Sequence, residues 1–165
     1  MIFLTGLSGA GKTTIAKEIQ QKMIQQGISP VMLDGDEIRK IKQLTAFDEA
    51  SRKIHNLEVG RMASSLEAEG NTVIVALISP YDDVRKSIRE MCNCFIEVFV
   101  STDIKICMQR DVKGLYAKAI SGEIKDFTGI SAPYFPPENP EVTVDTAALT
   151  AEECAVKIFS ALKKL

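Results

Sequence analysis

The residues near the N-terminus that could do chemistry form a glycine-rich loop followed by a lysine and two threonines. The run Gly6-Leu7-Ser8-Gly9-Ala10-Gly11-Lys12-Thr13-Thr14 contains the pattern G-x-x-x-x-G-K-[ST], which is typical of a phosphate-binding P-loop. Glycines let the backbone approach a phosphate closely, and the loop N–H groups and the helix N-terminus then face negative charge. We expect Lys12 to reach the β- and γ-phosphates of a nucleotide and the Thr13 hydroxyl to bind Mg²⁺.

Charged residues that follow a second strand-like segment form another candidate cluster. In Asp34-Gly35-Asp36, a carboxylate would face the P-loop and could hold metal-bound water or accept the proton of an attacking hydroxyl. The same residues also suit a turn with a helix N-cap, and spacing alone does not separate these interpretations. Arg39 and Arg52 could bind an anionic substrate through bidentate contacts, although without further context solvated helix faces are the favoured interpretation.

Three residues further along the chain are also candidates for a site. Ser79 follows a third strand-like segment and could bind a phosphate, act as a nucleophile or, as the default interpretation, cap the next helix. A Ser–His hydrolase is disfavoured, because the only histidine, His55, is not near Ser79 in the sequence. Arg110 and Lys113 lie where P-loop kinases commonly place cationic lid residues that stack on adenine and neutralise phosphoryl charge. The alternative for this pair is a surface charge cluster.

Alternating strand-like and helix-like segments predict the scaffold that positions these residues. Apolar runs predict five strands, at residues 1–5, 31–34, 72–77, 95–100 and 141–145. Helices are predicted from residue 12, at 52–69, 81–91 and 102–109, and from a capping box at 150–153. Their spacing predicts that these side chains face the core: Ile15, Ile19 and Met23; Leu57, Met62 and Leu66; Val156, Phe159 and Leu162. The predicted fold class is α/β, a doubly wound parallel five-stranded sheet of the P-loop kinase type, with ligands at the carboxyl ends of its strands.

One segment interrupts this alternation. Residues 113–140 carry a basic, helix-like piece followed by two glycines and four prolines, and a long loop of this kind is usually a lid or a substrate-binding element. The alternative is a disordered insertion. Four interleaved aromatic residues argue for packing instead, namely Tyr116, Phe127, Tyr134 and Phe135. We therefore expect a lid and substrate loop at about residues 110–140.

Composition limits the class of protein. The 165 residues suit one domain, and a net charge of −2 with a pI of about 5.5 does not favour a nucleic-acid or membrane surface. No apolar run approaches the roughly 18 residues of a membrane span, and Met1 lies too close to the first strand for a signal peptide. The four cysteines lack paired C-x-x-C spacing, which favours reduced thiols and a cytoplasmic location.

Motifs along nearly the whole chain resemble those of one family. Beside the P-loop they are Leu33–Asp36 with Arg39, Ile78–Tyr81, Phe95–Val100, Arg110-Asp111, Lys113–Tyr116, Gly122–Lys125, Phe127–Ile130 and Pro133-Tyr134. A P-loop alone indicates only a nucleotide, whereas the combination of D-G-D, I-S-P-Y, K-G-L-Y and F-T-G-I is specific. With these motifs the chain resembles the adenylylsulfate (APS) kinase family, and the resemblance covers residues 1–165 as a single P-loop kinase domain.

The resemblance implies an activity and a set of roles. ATP would donate its γ-phosphoryl group, with Mg²⁺ as cofactor, to the 3′-hydroxyl of APS to give PAPS and ADP in sulfate assimilation. Lys12, Asp34 and Ser79 would be catalytic, with direct in-line transfer favoured over a phosphorylated Ser79, and Thr13 and Asp34 would serve the metal. Residues 6–14 and Arg110 would bind ATP. The residues implied for APS are Asp36, Arg39, Phe47, Arg52, His55, Ile78, Ser79, Lys113, Leu115 and Phe127, with Phe47 and Phe127 on the two faces of its adenine.

Several residues depart from the family pattern near the expected APS pocket. The stretch from Arg39 to Phe47 lacks a G-L-N-like motif and is one residue shorter, His55 stands in place of an asparagine, although Asn56 adjoins it, and Asp126 stands in place of a glycine. Two other functions are therefore weighed: a P-loop kinase for another anionic, nucleotide-linked acceptor, and a non-catalytic ATP-binding module. A homodimer and an association with ATP sulfurylase are both left open.

Overall fold

The computed structural model describes residues 1–43 and 46–163. Residues 44 and 45, part of the shortened stretch between Arg39 and Phe47, lie outside the described residues. In chain order the elements are β1 (Ile2–Thr5), α1 (Lys12–Gln25), β2 (Val31–Asp34), α2 (Gly35–Ile41), α3 (Glu49–Ala68), β3 (Val73–Ala76), α4 (Asp82–Glu90), β4 (Ile96–Val100), α5 (Ile104–Arg110), α6 (Leu115–Ile120), β5 (Val142–Val144) and α7 (Ala151–Leu162).

The five strands form one parallel sheet in the order β2-β3-β1-β4-β5. This arrangement confirms the predicted α/β fold class. Because all strands run the same way, the segments after Thr5, Asp34, Ala76, Val100 and Val144 meet at one edge of the sheet. The P-loop, the D-G-D motif and Ser79 therefore share that edge, as expected from the sequence.

Helices cover both faces of the sheet, and alternate side chains of each strand pack into two separate cores. In β1, Ile2 and Leu4 join the core formed with α1 and α7, whereas Phe3 joins the core formed with α3 and α4. The same alternation divides Ile74 from Val75 in β3. Burial on both faces explains why these strands are continuous apolar runs in the sequence.

Two predicted helical faces differ in part from the structure. Ile15, Ile19 and Met23 are buried as predicted, but Met62 is 39% exposed and Val156 is 51% exposed. In α3 the buried face instead includes Gly60, where a Cβ atom would lie 2.6 Å from Cγ1 of Ile88. A small residue there brings α3 and α4 close together, and a search for large apolar residues overlooks this contact.

The element bounds differ from the predictions mainly around the D-G-D motif. The sequence did not predict α2, which begins directly at Gly35, and α3 begins at Glu49 rather than at Arg52. Both starts are capped by aspartates, Asp34 and Asp48, whose side chains accept backbone N–H bonds in the first turn. These caps extend the helices beyond their apolar patterns. The predicted capping box at Thr150 and Glu153 is confirmed.

The lid segment is packed against the rest of the protein through its aromatic side chains. Tyr116 and Phe127 form an edge-to-face pair with ring centroids 4.9 Å apart. Tyr134 stacks on Phe99 of β4 at 6.1 Å, and Phe135 lies 6.4 Å from Tyr81. The packing expected from the four aromatic residues is confirmed. A short helix, α6, accounts for the helix-like piece at the start of this segment.

Candidate active site

The P-loop is held tightly between β1 and α1. A Cβ atom at Gly6 would lie only 2.5 Å from the carbonyl oxygen of Val100, so only glycine fits there. Lys12, at the start of α1, points back over the loop and donates hydrogen bonds to the carbonyls of Gly6 at 2.9 Å and Leu7 at 2.8 Å. The lysine thus lies inside the loop that would surround a phosphate.

Burial also changes the protonation of Lys12. The side chain is 9% exposed, and this burial lowers the pKa of its ammonium group to about 8 despite the nearby carboxylate of Asp36. A negatively charged ligand beside the ammonium group would stabilise its charged form. The geometry therefore favours binding of an anion, which would compensate for the desolvation of the Lys12 ammonium group.

Asp34 combines the two roles between which the sequence did not decide. Its Oδ1 atom accepts hydrogen bonds from the backbone N–H groups of Asp36 at 2.9 Å and Glu37 at 3.4 Å, which caps α2. Its Oδ2 atom accepts a hydrogen bond from the Thr13 hydroxyl at 2.6 Å. The cap fixes the carboxylate so that its second oxygen faces the P-loop. Two oxygen ligands of the kind that Mg²⁺ prefers thus lie together at this point.

A cavity of about 420 Å³ lies beside the P-loop and is lined by most of the residues predicted to bind ATP. The predicted residues that line it are Ser8, Gly9, Gly11, Lys12, Thr13, Thr14 and Arg110. Of the other three, Gly6 and Leu7 accept the hydrogen bonds of Lys12, and Ala10 is buried in the core.

Arg110 is held at this cavity by a residue that the sequence analysis missed. It donates hydrogen bonds to the Thr146 hydroxyl at 2.7 Å and to the Thr146 carbonyl at 2.8 Å. Thr146 follows β5 at the carboxyl edge of the sheet, and this position could have identified it. The contacts favour the lid interpretation of Arg110 over a surface charge cluster.

A second cavity, of about 400 Å³, lies between α2, α3, the I-S-P-Y segment and the lid. All but one of the residues that the resemblance implies for the acceptor line it: Asp36, Arg39, Phe47, Arg52, His55, Ile78, Ser79, Leu115 and Phe127. The exception, Lys113, lines the first cavity and forms an ion pair with Asp36.

This ion pair affects the protonation of Asp36. Burial raises the pKa of Asp36, but the hydrogen bond and charge of Lys113 outweigh this effect and leave that pKa below its usual value.

Four buried polar atoms at this second cavity have no hydrogen-bond partner among the described residues. They are Arg52 Nε, His55 Nδ1, Asn56 Nδ2 and Ser79 Oγ. Buried polar atoms are nearly always paired, so a group of unpaired ones around a cavity indicates a missing polar ligand. Asn56 was not among the predicted residues, although it directly follows His55. Arg52 is buried and donates to Thr128 at 2.6 Å, so it does not lie on a solvated helix face.

His55 presents a hydrogen-bond acceptor to the cavity. Its Nε2 atom lies 3.2 Å from the carbonyl oxygen of Gly35, which can only accept, so Nε2 carries a proton. Burial first, and then the charge of Arg39, lower the pKa of the imidazole and favour its neutral form. In that form the unpaired Nδ1 atom is an acceptor, which suits a ligand amine or hydroxyl group.

The two phenylalanines expected to hold an adenine ring both line the cavity, but in different settings. Phe47 is 48% exposed, and the guanidinium of Arg39 lies 4.5 Å from its ring centroid. Phe127 is half-buried and contacts the core through Tyr116. Phe127 therefore contributes to packing as well as to the cavity wall.

Ser79 does not cap the following helix, contrary to the default interpretation. The N-cap of α4 is Tyr81, which makes no side-chain capping bond. Ser79 is fully buried and has a backbone φ of +43°, in the left-handed region that serine rarely adopts. The residue lines the second cavity and its buried hydroxyl has no partner among the described residues, so a contact with a ligand is a better interpretation than a cap.

The described residues contain neither a membrane-spanning helix nor a clustered metal site. Within residues 1–43 and 46–163, no helix is long and apolar enough to cross a bilayer. In the same ranges, no cluster of three or more His, Cys, Asp or Glu side chains is arranged to hold a metal ion. The four cysteines of the described chain carry free thiols.

Comparisons with known proteins point to one family. The family model for adenylylsulphate kinase matches residues 1–145. The adenylyl-sulfate kinase of Rippkaea orientalis is 45% identical over 99% of this chain and 91% of its own. The solved APS kinase of Mycobacterium tuberculosis, in complex with AMPPNP and APS, superposes with a TM-score of 0.93 at 36% identity, covering 98% of this chain and 96% of that one.

A further relative is a longer protein. The probable bifunctional SAT/APS kinase 2 of Sorangium cellulosum is 40% identical over 100% of this chain, which corresponds to 29% of that protein. The matched family model, the relative from Rippkaea orientalis and the superposed kinase agree with each other. The chain belongs to the adenylylsulphate kinase family.

Proposed function

We propose that this protein transfers the γ-phosphoryl group of ATP to the 3′-hydroxyl of APS, giving PAPS and ADP. One observation carries the proposal beyond family membership. A phosphate-binding loop lies at the same sheet edge as a second cavity whose four unpaired, buried polar atoms lie near two phenylalanine rings. An adenine nucleotide with an anionic group supplies both a flat ring and oxygen atoms for such a cavity.

On the donor side, the proposal assigns ATP to the first cavity. Lys12 would leave the Gly6 and Leu7 carbonyls and contact the β- and γ-phosphates, where it offsets charge that develops during transfer. The Thr13 hydroxyl and Asp34 Oδ2 are suitable oxygen atoms for Mg²⁺, directly or through water. When bound, Mg²⁺ would neutralise phosphate charge and orient the γ-phosphoryl group. Arg110 would lie over the nucleotide from the lid.

On the acceptor side, the proposal assigns APS to the second cavity. Phe47 and Phe127 would contact its adenine, and Arg39 and Arg52 would contact its anionic groups. The 3′-hydroxyl oxygen would form a bond to the γ-phosphorus while the bond to the ADP oxygen breaks. Asp34 would accept the hydroxyl proton, and the electron pair of the broken bond would leave with ADP. Direct in-line transfer is sufficient, since positioning and charge neutralisation dominate phosphoryl transfer.

A coupled assay of ADP release tests this function. With ATP and Mg²⁺ present, we expect ADP release to depend on APS and to be much slower with AMP or with no acceptor. Lys12→Ala serves as the inactive control and should lose roughly 10²–10³-fold in kcat. Equal rates with APS, with AMP and with no acceptor would contradict the proposed acceptor, and ATP binding without turnover of any acceptor would favour a binding module.

We extend the proposal to the surroundings of the reaction. The fused relative of Sorangium cellulosum supports an association with ATP sulfurylase, and the free thiols support a reducing, cytoplasmic setting. The proposal takes residues 1–165 as one kinase domain with its lid at about 110–140. Size-exclusion chromatography with light scattering, on the chain alone and with an ATP sulfurylase, measures both a homodimer and the heterologous complex. A single monomeric peak in both runs would contradict this extension.

A further inference from the structure

The loop that carries Ser79 has an unusual backbone. Ser79 has a φ of +43° and no solvent exposure. The residue lines the second cavity, and its buried hydroxyl has no hydrogen-bond partner among the described residues. A left-handed conformation is unfavourable at a residue other than glycine, because the Cβ atom crowds the following carbonyl oxygen. It persists only where the surrounding structure enforces it. The contacts that enforce it here determine where the hydroxyl points.

Three successive carbonyl oxygens, of Ile78, Ser79 and Pro80, accept hydrogen bonds from other segments of the protein. The Thr5 hydroxyl donates to the Ile78 carbonyl at 2.7 Å, and the backbone N–H of Phe135 donates to the Pro80 carbonyl at 2.9 Å. Between them, the carbonyl of Ser79 itself accepts a hydrogen bond from Nη1 of Arg85 at 2.8 Å and a longer one from the Thr5 hydroxyl at 3.4 Å. Of these contacts, only that of Arg85 places a formal charge on the loop.

Arg85 is among the most completely buried side chains of the protein. Its side chain is 2% exposed, and its Nε atom lies 2.9 Å from Oε1 of Glu97, whose side chain is 9% exposed. The two atoms form an ion pair without the geometry of a hydrogen bond, and neither has a hydrogen-bond partner among the described residues. Asp82, one turn earlier in α4, lies 3.3 Å from its Nη2 atom. A buried guanidinium is costly unless its charge and its donors are matched. Its position is therefore fixed from two sides, by Glu97 in β4 and by the Ser79 carbonyl.

We propose that Arg85 is a positioning residue for the acceptor site, held by Glu97 and acting through the backbone of Ser79. By keeping the Ser79 carbonyl turned toward α4, Arg85 holds the residue in its left-handed conformation and directs the hydroxyl into the acceptor cavity. There the hydroxyl donates to an anionic oxygen of the acceptor. This inference rests on the proposed function only for the identity of the acceptor. The role of Arg85 in the geometry of the loop does not depend on which acceptor binds.

Arg89 provides a matched control. It lies one turn further along α4, where it contacts the same Glu97 at 3.3 Å and forms an ion pair with Glu141 at 2.7 Å. Unlike Arg85, it donates no hydrogen bond to the described residues 78–80. Arg85→Lys keeps the charge opposite Glu97, but one ammonium group cannot reproduce the spread of guanidinium contacts to Glu97 and the Ser79 carbonyl. We expect Arg85→Lys to raise the KM for APS about tenfold with the KM for ATP within twofold, whereas Arg89→Lys changes neither.

A double-mutant cycle separates positioning from general loss of structure. Ser79→Ala alone should raise the KM for APS about tenfold and retain substantial kcat. Adding Arg85→Lys to Ser79→Ala should then raise that KM by less than a further twofold, because the hydroxyl that Arg85 directs is already absent. Additive effects, or a Ser79→Ala protein with an unchanged KM, would overturn the proposal.

Two further measurements keep the test decisive. If Arg85→Lys does not fold, the paired variant Arg85→Gln with Glu97→Gln removes both charges together and should show the same rise in the KM for APS. Crystal structures of the Arg85 and Arg89 variants report the φ of Ser79 whatever the acceptor is. A wild type that does not use APS would contradict the proposed function alone, whereas an unchanged positive φ at Ser79 without the Arg85 contact would overturn this inference.

Discussion

The donor and acceptor halves of the site differ in how their polar groups are satisfied. Around the P-loop, Lys12 bonds two loop carbonyls, Thr13 bonds Asp34, and Arg110 bonds Thr146. Around the second cavity, four buried polar atoms have no partner among the described residues. The donor half thus has a stable arrangement of its own without a ligand, whereas the acceptor half leaves hydrogen bonds for a ligand to complete.

This difference shows where each kind of specificity comes from. A P-loop whose polar groups already bond to one another can bind many nucleotides, because its contacts with phosphate come largely from backbone groups and one lysine. Unpaired buried atoms discriminate more strongly, since a ligand that lacks the matching group leaves them unsatisfied. We therefore expect acceptor selectivity to depend on the second cavity, so that substitutions there weaken it more than substitutions in the P-loop.

The largest expected effect is at the residue that joins the two halves. Asp34→Asn keeps an oxygen atom that can cap α2 but removes the negative charge beside Thr13. We expect kcat to fall on the order of 10²-fold or more, with little change in the KM for ATP, because the carboxylate acts in the transition state. Steady-state kinetics in both substrates check this. If only the KM for ATP rises, Asp34 is a binding residue or a helix cap.

Substitutions of the two phenylalanines test the acceptor half by itself. Phe127→Ala should weaken APS binding by about 10- to 100-fold and leave ATP affinity nearly unchanged, since a stacked base contributes roughly 1–3 kcal/mol. It should also lower the melting temperature, because Phe127 packs on Tyr116. Phe47→Ala is the matched control for stability: it should weaken APS binding while the melting temperature stays constant. Equal losses for ATP and APS would mean that Phe127 serves only the core.

The protonation of Lys12 tests the donor half. Because burial lowers its pKa to about 8, the ammonium form that favours phosphate is present at pH 7 and is lost as the pH rises above 8. We expect the affinity for AMPPNP to fall roughly tenfold between pH 7 and 9, since each unit above the pKa lowers the charged fraction about tenfold. Lys12→Arg, charged throughout this range, should lack the dependence. APS affinity measured alongside should change little.

The smallest expected effect concerns a departure from the family pattern. Asp126 lines the acceptor cavity and has a φ of +55°, a conformation that glycine adopts without strain. Asp126→Gly should raise the unfolding free energy by about 1 kcal/mol and lower the KM for APS a few-fold, because a negative charge beside an anionic substrate is removed. Thermal unfolding and steady-state kinetics measure the two changes. A higher KM would mean that Asp126 contacts the acceptor favourably.

The fold and most cavity-lining residues could be predicted because their patterns are local or specific. The P-loop is a continuous motif, and strands buried on both faces are apolar runs. Asn56 and Thr146 were missed because neither belongs to a motif, although one directly follows His55 and the other follows β5 at the carboxyl edge of the sheet. Arg85 was missed for a related reason: a charged residue on an amphipathic helix suggests solvent exposure, and only its contacts with Glu97 and Ser79 reveal that it is buried.

The interpretation of Ser79 illustrates the same limit. A serine before a helix is most often a cap, and the sequence offers no direct sign of its left-handed backbone. The contacts around it come from Thr5, from Arg85 and, through Pro80, from Phe135, which lie in three different segments of the chain. Such contacts form only in the folded chain. The structure was therefore needed to replace the interpretation of Ser79 as a helix cap with that of a ligand contact.

The division between the two halves is tested most directly by titrating two ligands into one variant. Arg52→Gln removes a buried charge from the acceptor cavity and does not touch the P-loop cavity. Isothermal calorimetry should show that this protein binds APS at least tenfold more weakly than wild type, while its affinity for AMPPNP stays within twofold. Equal weakening of both ligands, or unchanged binding of APS, would contradict the assignment of separate donor and acceptor sites.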